Sequence, residues 1–245
     1  MPTSTQSIRE IVSAQSSAAA VLERFDIDLC SRAEESLKQA CAELQLSVDQ
    51  VLEKLSDAAA NEPGAEPADL ASYSMIRLIQ HIVRTHHKYV RRELPRLVEM
   101  AHKLARKYGD RVPELKQVET MLDALHAEMF THLQKEEQVL FLFIAQMEDD
   151  TVGFASSAHA CFPTAAQPVT MMVREHESTE GLVSALRGLT NGFKTPAWAC
   201  PTYIALYAGL GQFERDLRQH VHLEDDILFP RAIEMESALN QQRSI

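Results

Sequence analysis

Two stretches of this chain, HLQKEEQVLF from His132 and HVHLEDDILF from His220, place an imidazole and a carboxylate four residues apart among apolar neighbours. On a helix His132 and Glu136 fall in phase with Val139, Leu140 and Phe143, so these polar groups share the apolar face. The two stretches match at His, at Glu four residues on, at an acidic residue next, and then at a β-branched residue, Leu and Phe. The offset is 88 residues from His132 to His220 and again from Glu136 to Glu224. His87 and His176 each sit mid-stripe on the helical pattern preceding one copy. A chain that repeats a helix pair with inward polar groups is constrained to a bundle that gathers those groups on one axis.

Composition agrees. With only 8 Gly and 10 Pro in 245 residues, and long runs of Ala, Leu, Glu, Gln, Lys, Arg and Met, the chain favours helices and is expected to be all-α. Residues 1–56 read as a small helical N-terminal domain, with patterns over Ile8 to Phe25, from Ser36, and after Ser47 with Gln50 three residues on. Residues 57–69, DAAANEPGAEPAD, lack apolar periodicity and read as a linker. Residues 70–245 then supply four long helices, an antiparallel four-helix bundle. The first carries Ile76, Ile79, Val83, His87, Val90 and Leu94 on one stripe, with Pro95 as an expected kink. The second runs from Pro113 to Met147, the third from Val169 to Leu189 with Asn191 and Gly192 at its end, and the fourth from Pro201 to Glu236. Residues 148–168 form a long irregular connection in which His159 and Cys161 have no assigned role.

The net charge of −11 opposes binding to nucleic acid or to an anionic membrane. No apolar run approaches the roughly 20 residues a membrane span needs. Cys30, Cys41, Cys161 and Cys200 form no CxxC, and the start is not signal-like, so reduced thiols in a cytoplasmic protein are expected.

Four histidines and two glutamates, His87, His132, His176, His220, Glu136 and Glu224, therefore point at one bundle axis. A buried carboxylate without compensating charge costs several kcal/mol, and four imidazoles add polar groups to be satisfied. A pair of bound cations resolves both problems. Imidazole and carboxylate suit iron first, then manganese or zinc, and no in-phase cysteine favours structural zinc. If Glu136 and Glu224 bridge two metals that each take two histidines, every metal has four protein donors. A solvent-derived oxygen bridge adds a fifth, and the remaining position is open to dioxygen, peroxide or nitric oxide. Asp225 is a rival to Glu224, but the repeat places Glu at +4 in both copies. Glu128 and Glu175 flank the ligands as candidate proton carriers. His86, one residue out of phase with His87, reads as an outer or surface residue; His81, His102, His126, His159 and His222 read as surface. His176 also has Glu180 at +4.

With HIVRTHHKYVRRELP from His81, HLQKEEQVLF, REHE around His176 and HVHLEDDILFPRA from His220, the chain resembles the Repair of Iron Centres family over nearly its whole length. These are hemerythrin-like di-iron proteins with a small extra N-terminal domain. The resemblance implies that the six residues above hold two oxygen-bridged non-haem irons, with Glu128 and Glu175 as acidic outer positions. It implies restoration of damaged iron–sulfur proteins under nitrosative or oxidative stress, by iron donation or by reaction, including reduction, of nitric oxide at the irons. One departure is plain: FDIDLCSRAEESL keeps Cys30, but Ser31, Arg32 and Ala33 follow where the family has a second cysteine and glycines. Vicinal dithiol chemistry is unavailable there. The alternative reading is a hemerythrin-like dioxygen carrier or sensor, opposed by Glu180 where hemerythrins carry a fifth histidine. The sequence leaves open whether the N-terminal domain docks on the bundle or joins two chains in a homodimer.

Overall fold

The computed structural model describes residues 2–15, 17–29, 31–60, 69–149 and 164–243, and among these the chain is helical throughout. The N-terminal module holds α1 (Ile8–Ala14), α2 (Ala18–Arg24), α3 (Leu37–Glu43) and α4 (Val48–Ala60). The pattern over Ile8 to Phe25 is thus two short helices, broken before Ser17, rather than one. Capping boxes open α1 at Ser7 with Glu10 and α3 at Ser36 with Gln39. Ser47 Oγ accepts from the Gln50 amide at 3.4 Å at the start of α4. That helix continues to Ala60, so residues 57–60 of the expected linker are helical. Residues 61–68, and Cys30, lie outside the described residues.

Four long rods follow a short 3-10 turn at Leu70–Ser72. The first is α5 (Met75–Ile82), a π turn (Val83–His87) and α6 (Lys88–Tyr108); the second is α7 (Glu114–Lys135), a π turn (Glu136–Leu140) and α8 (Phe141–Glu148). The third is α9 (Ala166–Leu189), and the fourth is α10 (Pro201–Val221), a π turn (His222–Leu228) and α11 (Phe229–Arg243). The start of the first rod packs on the end of the second, and α6 packs on α7, so these neighbours run antiparallel; α5 against the last π turn and α6 against α10 give the same relation to the fourth. Helix α6 runs through Pro95 to Tyr108, so the proline does not end it. Left-handed backbone at Asn191 (φ 51°) and Gly192 (φ 74°) terminates α9, as those residues predict.

The duplication extends to the caps. Glu148 accepts from the amides of Met75 and Ile76 at 2.8 and 2.7 Å, closing the N-terminus of α5. Its counterpart Glu236 receives the Ala165 amide at 3.0 Å on each oxygen, just before α9.

Buried apolar side chains form two clusters. One joins Leu70, Leu78, Ile82, Phe143, Met172 and Phe229 at one end of the bundle. The other continues Val90, Leu97, Leu125, Leu186 and Phe213 into Ile8, Leu22, Leu37 and Leu55 of the N-terminal module. The module therefore docks on the bundle of its own chain, an arrangement the sequence left open. Arg9 donates to the Ala199 carbonyl, and Arg96 lies 3.6 Å from Glu23 across the same boundary.

Candidate metal centre

Between the two apolar clusters lies a polar layer. His87, His132, Glu136, His176, His220 and Glu224 are all buried, each exposing 3% or less of its surface. They divide into two quartets able to hold a metal ion: His87, His220, Glu136 and Glu224, and His132, His176, Glu136 and Glu224. The histidine pairing crosses the repeat. Nε2 of His87 faces Nε2 of His220 at 3.0 Å, and Nε2 of His132 faces Nε2 of His176 at 3.0 Å. Each glutamate splits its oxygens between the quartets. Glu136 turns Oε2 to His87 at 3.4 Å and Oε1 to His132 at 3.3 Å, while Glu224 turns Oε1 to His220 at 3.0 Å and Oε2 to His176 at 3.2 Å.

The three π turns among the described residues occur where the candidate ligands are presented. A π turn inserts one residue into the helix and advances the inward face by one position. In the first rod this buries both His86 and His87, which explains why His86 is fully buried although a regular helix puts it out of phase. The same shift aims Phe141 and Phe229, matched residues of the repeat, at the centre. Phe141 stacks on His87 (centroids 5.5 Å apart, planes at 20°) and Phe229 on His176 (6.2 Å, 4°).

Outside the quartets, carboxylates face the opposite ring nitrogens. His87 Nδ1 lies 2.7 Å from Glu137, His176 Nδ1 2.9 Å from Asp225, and His132 Nδ1 3.0 Å from Glu175. Arg91 also donates to Glu137, and Lys135 to Glu175. Glu175 thus meets His132 from outside the quartets, whereas Glu128 is exposed on α7. Glu137 and Asp225 were missed in this role, although the repeat carries the signal: an acidic residue follows each inward glutamate. His86 is not a surface residue; its Nδ1 meets Asp216 at 3.0 Å. Glu180 is exposed, so the third His/Glu spacing builds no core pair. His222 is exposed beside Asp226 and His102 half-buried beside Asp123; His81 and His126 are half-buried and outside both quartets. Cys41 and Cys200 are buried, and burial pushes the Cys41 thiol up. His159 and Cys161 lie outside the described residues.

The charges are mutually dependent. Burial works against the ionised form of Glu224, yet His220, His176 and His87 hold it well below the usual carboxylate range. Burial and Glu224 both push Glu136 up, and His132 and His87 overcome them. Burial likewise opposes charge on His87, His132 and His176, but the facing carboxylates raise all three, His176 to about 10. Burial prevails only at His220, which is lowered. Both oxygens of Glu136 and Oε2 of Glu224 accept no hydrogen bond. Carboxylate oxygens this deep need a positive partner. Two quartets of imidazole nitrogen and carboxylate oxygen around these orphaned atoms fit a pair of divalent cations.

Residues 78–232 match the hemerythrin HHE cation binding domain, and residues 4–59 match a domain of unknown function, DUF542. The chain belongs to the hemerythrin-like family of iron–sulfur cluster repair proteins. It is 31% identical to the iron-sulfur cluster repair protein YtfE of Pectobacterium atrosepticum and 30% identical to a probable iron-sulfur cluster repair protein of Haemophilus influenzae, in each case over 93% of this chain and 96% of the relative. With YtfE of Escherichia coli O81 the identity is 33%, over 88% of this chain and 91% of that protein. Among the described residues no helix is long and apolar enough to cross a membrane.

Proposed function

We propose that His87 and His220 hold one iron, that His132 and His176 hold a second, and that Glu136 and Glu224 bridge the two. We further propose that the chain acts in repair of iron–sulfur clusters damaged by nitrosative or oxidative stress, with iron as its cargo. The observation carrying this reading is the pair of buried quartets sharing two glutamates whose oxygens lack hydrogen bonds. The names of the relatives agree with it. When bound, a di-iron centre supplies redox electrons and open positions at which nitric oxide or dioxygen reacts.

The chain's own residues do the rest. Glu137, Asp225 and Glu175 accept from Nδ1 of their histidines, which presents Nε2 as the donor. Phe141 and Phe229 cover two of the rings and keep water from the layer. Burial of every ligand on apolar clusters favours small neutral diatomics over charged substrates. A carrier of dioxygen is disfavoured because Glu180 is exposed where a fifth histidine would stand.

The test is anaerobic. Protein reconstituted with ferrous iron should hold about two irons per chain by the ligand count, and should restore activity to an iron–sulfur enzyme inactivated by nitric oxide. Loss of both properties in Glu136→Ala, with folding retained by circular dichroism, supports the reading; full repair by the iron-free variant overturns it. Consumption of nitric oxide by the reduced wild type, absent in the same variant, places that reaction at the irons.

A further inference from the structure

The two halves of the centre are not equivalent. His176 stands 89 residues after His87 and His220 stands 88 after His132, so when the halves are matched on their inward histidines Glu175, which precedes His176, corresponds to His86, which precedes His87. Glu128, four before His132, corresponds to Asp216, four before His220. In one half Glu175 accepts from His132 Nδ1 at 3.0 Å, and Glu128 stays in solvent. In the other half an imidazole takes the place of that carboxylate. His86 stacks flat on His220, with centroids 5.5 Å apart and planes at 4°, and turns its own Nδ1 to Asp216. His220 Nδ1 is buried with no hydrogen-bond acceptor.

A carboxylate on the outer nitrogen makes a ligand histidine a stronger donor and fixes its orientation, and removing such a partner lowers metal affinity about 10–100-fold. The quartet of His132 and His176 has this support on both histidines, from Glu175 and Asp225. The quartet of His87 and His220 has it on His87 alone, from Glu137. We propose that the two metal positions are unequal: the His132/His176 position binds first and tightly, and the His87/His220 position is the exchangeable one from which iron is delivered, with His86 as the positioning residue that sets the difference. This rests on the ligand assignment above and specifies which of the two ions is the cargo.

The experiment fills the full-length protein anaerobically with one equivalent of 57Fe(II), then with one of natural-abundance Fe(II), and in a second sample reverses the order. Mössbauer spectra report each iron separately, and a ferrous chelator reads the release. The wild type should release iron in two steps whose affinities differ about 10–100-fold. Glu175→Gln should alter the spectrum of the first-bound iron and draw the two steps together. Glu137→Gln should alter the second-bound iron and widen the gap. His86→Glu, which restores the carboxylate of the other half, should tighten the second step; Glu175→Gln keeps the test decisive if that buried change fails to fold. Release of both irons in one step, or Glu137→Gln perturbing the first-bound iron, overturns the inequality while leaving the ligand assignment intact. Binding of fewer than two irons overturns both, through the ligand assignment.

Discussion

His87 and Glu137 stand on different rods, 2.7 Å apart between Nδ1 and Oε1, while Nε2 of the same ring faces His220 at 3.0 Å. The carboxylate that follows a proposed bridging glutamate thus orients a candidate ligand on the facing rod. The hydrogen bond from His87, followed by that from Arg91, holds Glu137 at about 2 against the opposing effect of burial. Its folded value lies below the unfolded carboxylate value of about 4.3, so its stabilisation is full above that pH and is lost as pH falls toward 2. Glu137→Gln should therefore flatten the acid limb of the apoprotein's stability curve between about pH 4 and pH 2, as measured by urea unfolding at stepped pH.

Metal uptake should release protons. In the metal-free chain His87, His132 and His176 are raised, His176 to about 10, and each must be neutral to ligate. Calorimetry at pH 7.5 in buffers of different ionisation enthalpy should return about two to three protons released per pair of ions. A value near zero would contradict the charge state described for the centre.

The same histidines set an alkaline trend. A histidine whose folded value is raised stabilises the fold fully below its unfolded value, about 6.5, and that contribution fades as pH rises through the folded value. The apoprotein should lose stability between about pH 6.5 and 10, whereas the metal-loaded protein, with its histidines neutral throughout, should not. Thermal midpoints of the two forms across that range provide the comparison.

Glu224→Gln replaces a buried charge with a neutral amide of similar shape. Above about pH 10, once His176 has discharged, the apoprotein should be no less stable than wild type, because the cost of burying the carboxylate is gone. The stabilisation by metal, about 4 kcal/mol at a thousandfold excess over Kd, should vanish. Unfolding with and without ferrous iron separates these effects.

Glu148→Ala removes the carboxylate that receives the first amides of α5. A loss of about 1–2 kcal/mol is expected, with two metals still bound, since Glu148 lies far from both quartets along α8. Denaturant midpoints and iron analysis measure the two quantities.

Much of this arrangement is legible along the chain. Helical periodicity is local, so His132 and Glu136, or His220 and Glu224, share a face whatever surrounds them. The 88-residue echo marks which acid in each copy points inward. Glu148 and Glu236 obey the same offset, although their capping role is visible only once the helix starts they meet are in place.

What the sequence by itself determined is the all-α class, the helix pair in duplicate, and the six inward histidines and glutamates, because each depends on residue type and a regular 3.6-residue turn. Tertiary structure decided which histidines meet: His87 with His220, and His132 with His176, across rods that are not neighbours within one copy. It also decided the fates of Glu137, Asp225 and His86, because three π turns shift the phase that a regular helix would impose. A π turn is stabilised by what packs around it rather than by its own residues, and so the asymmetry between Glu175 and His86 emerges only when the four rods close on one axis.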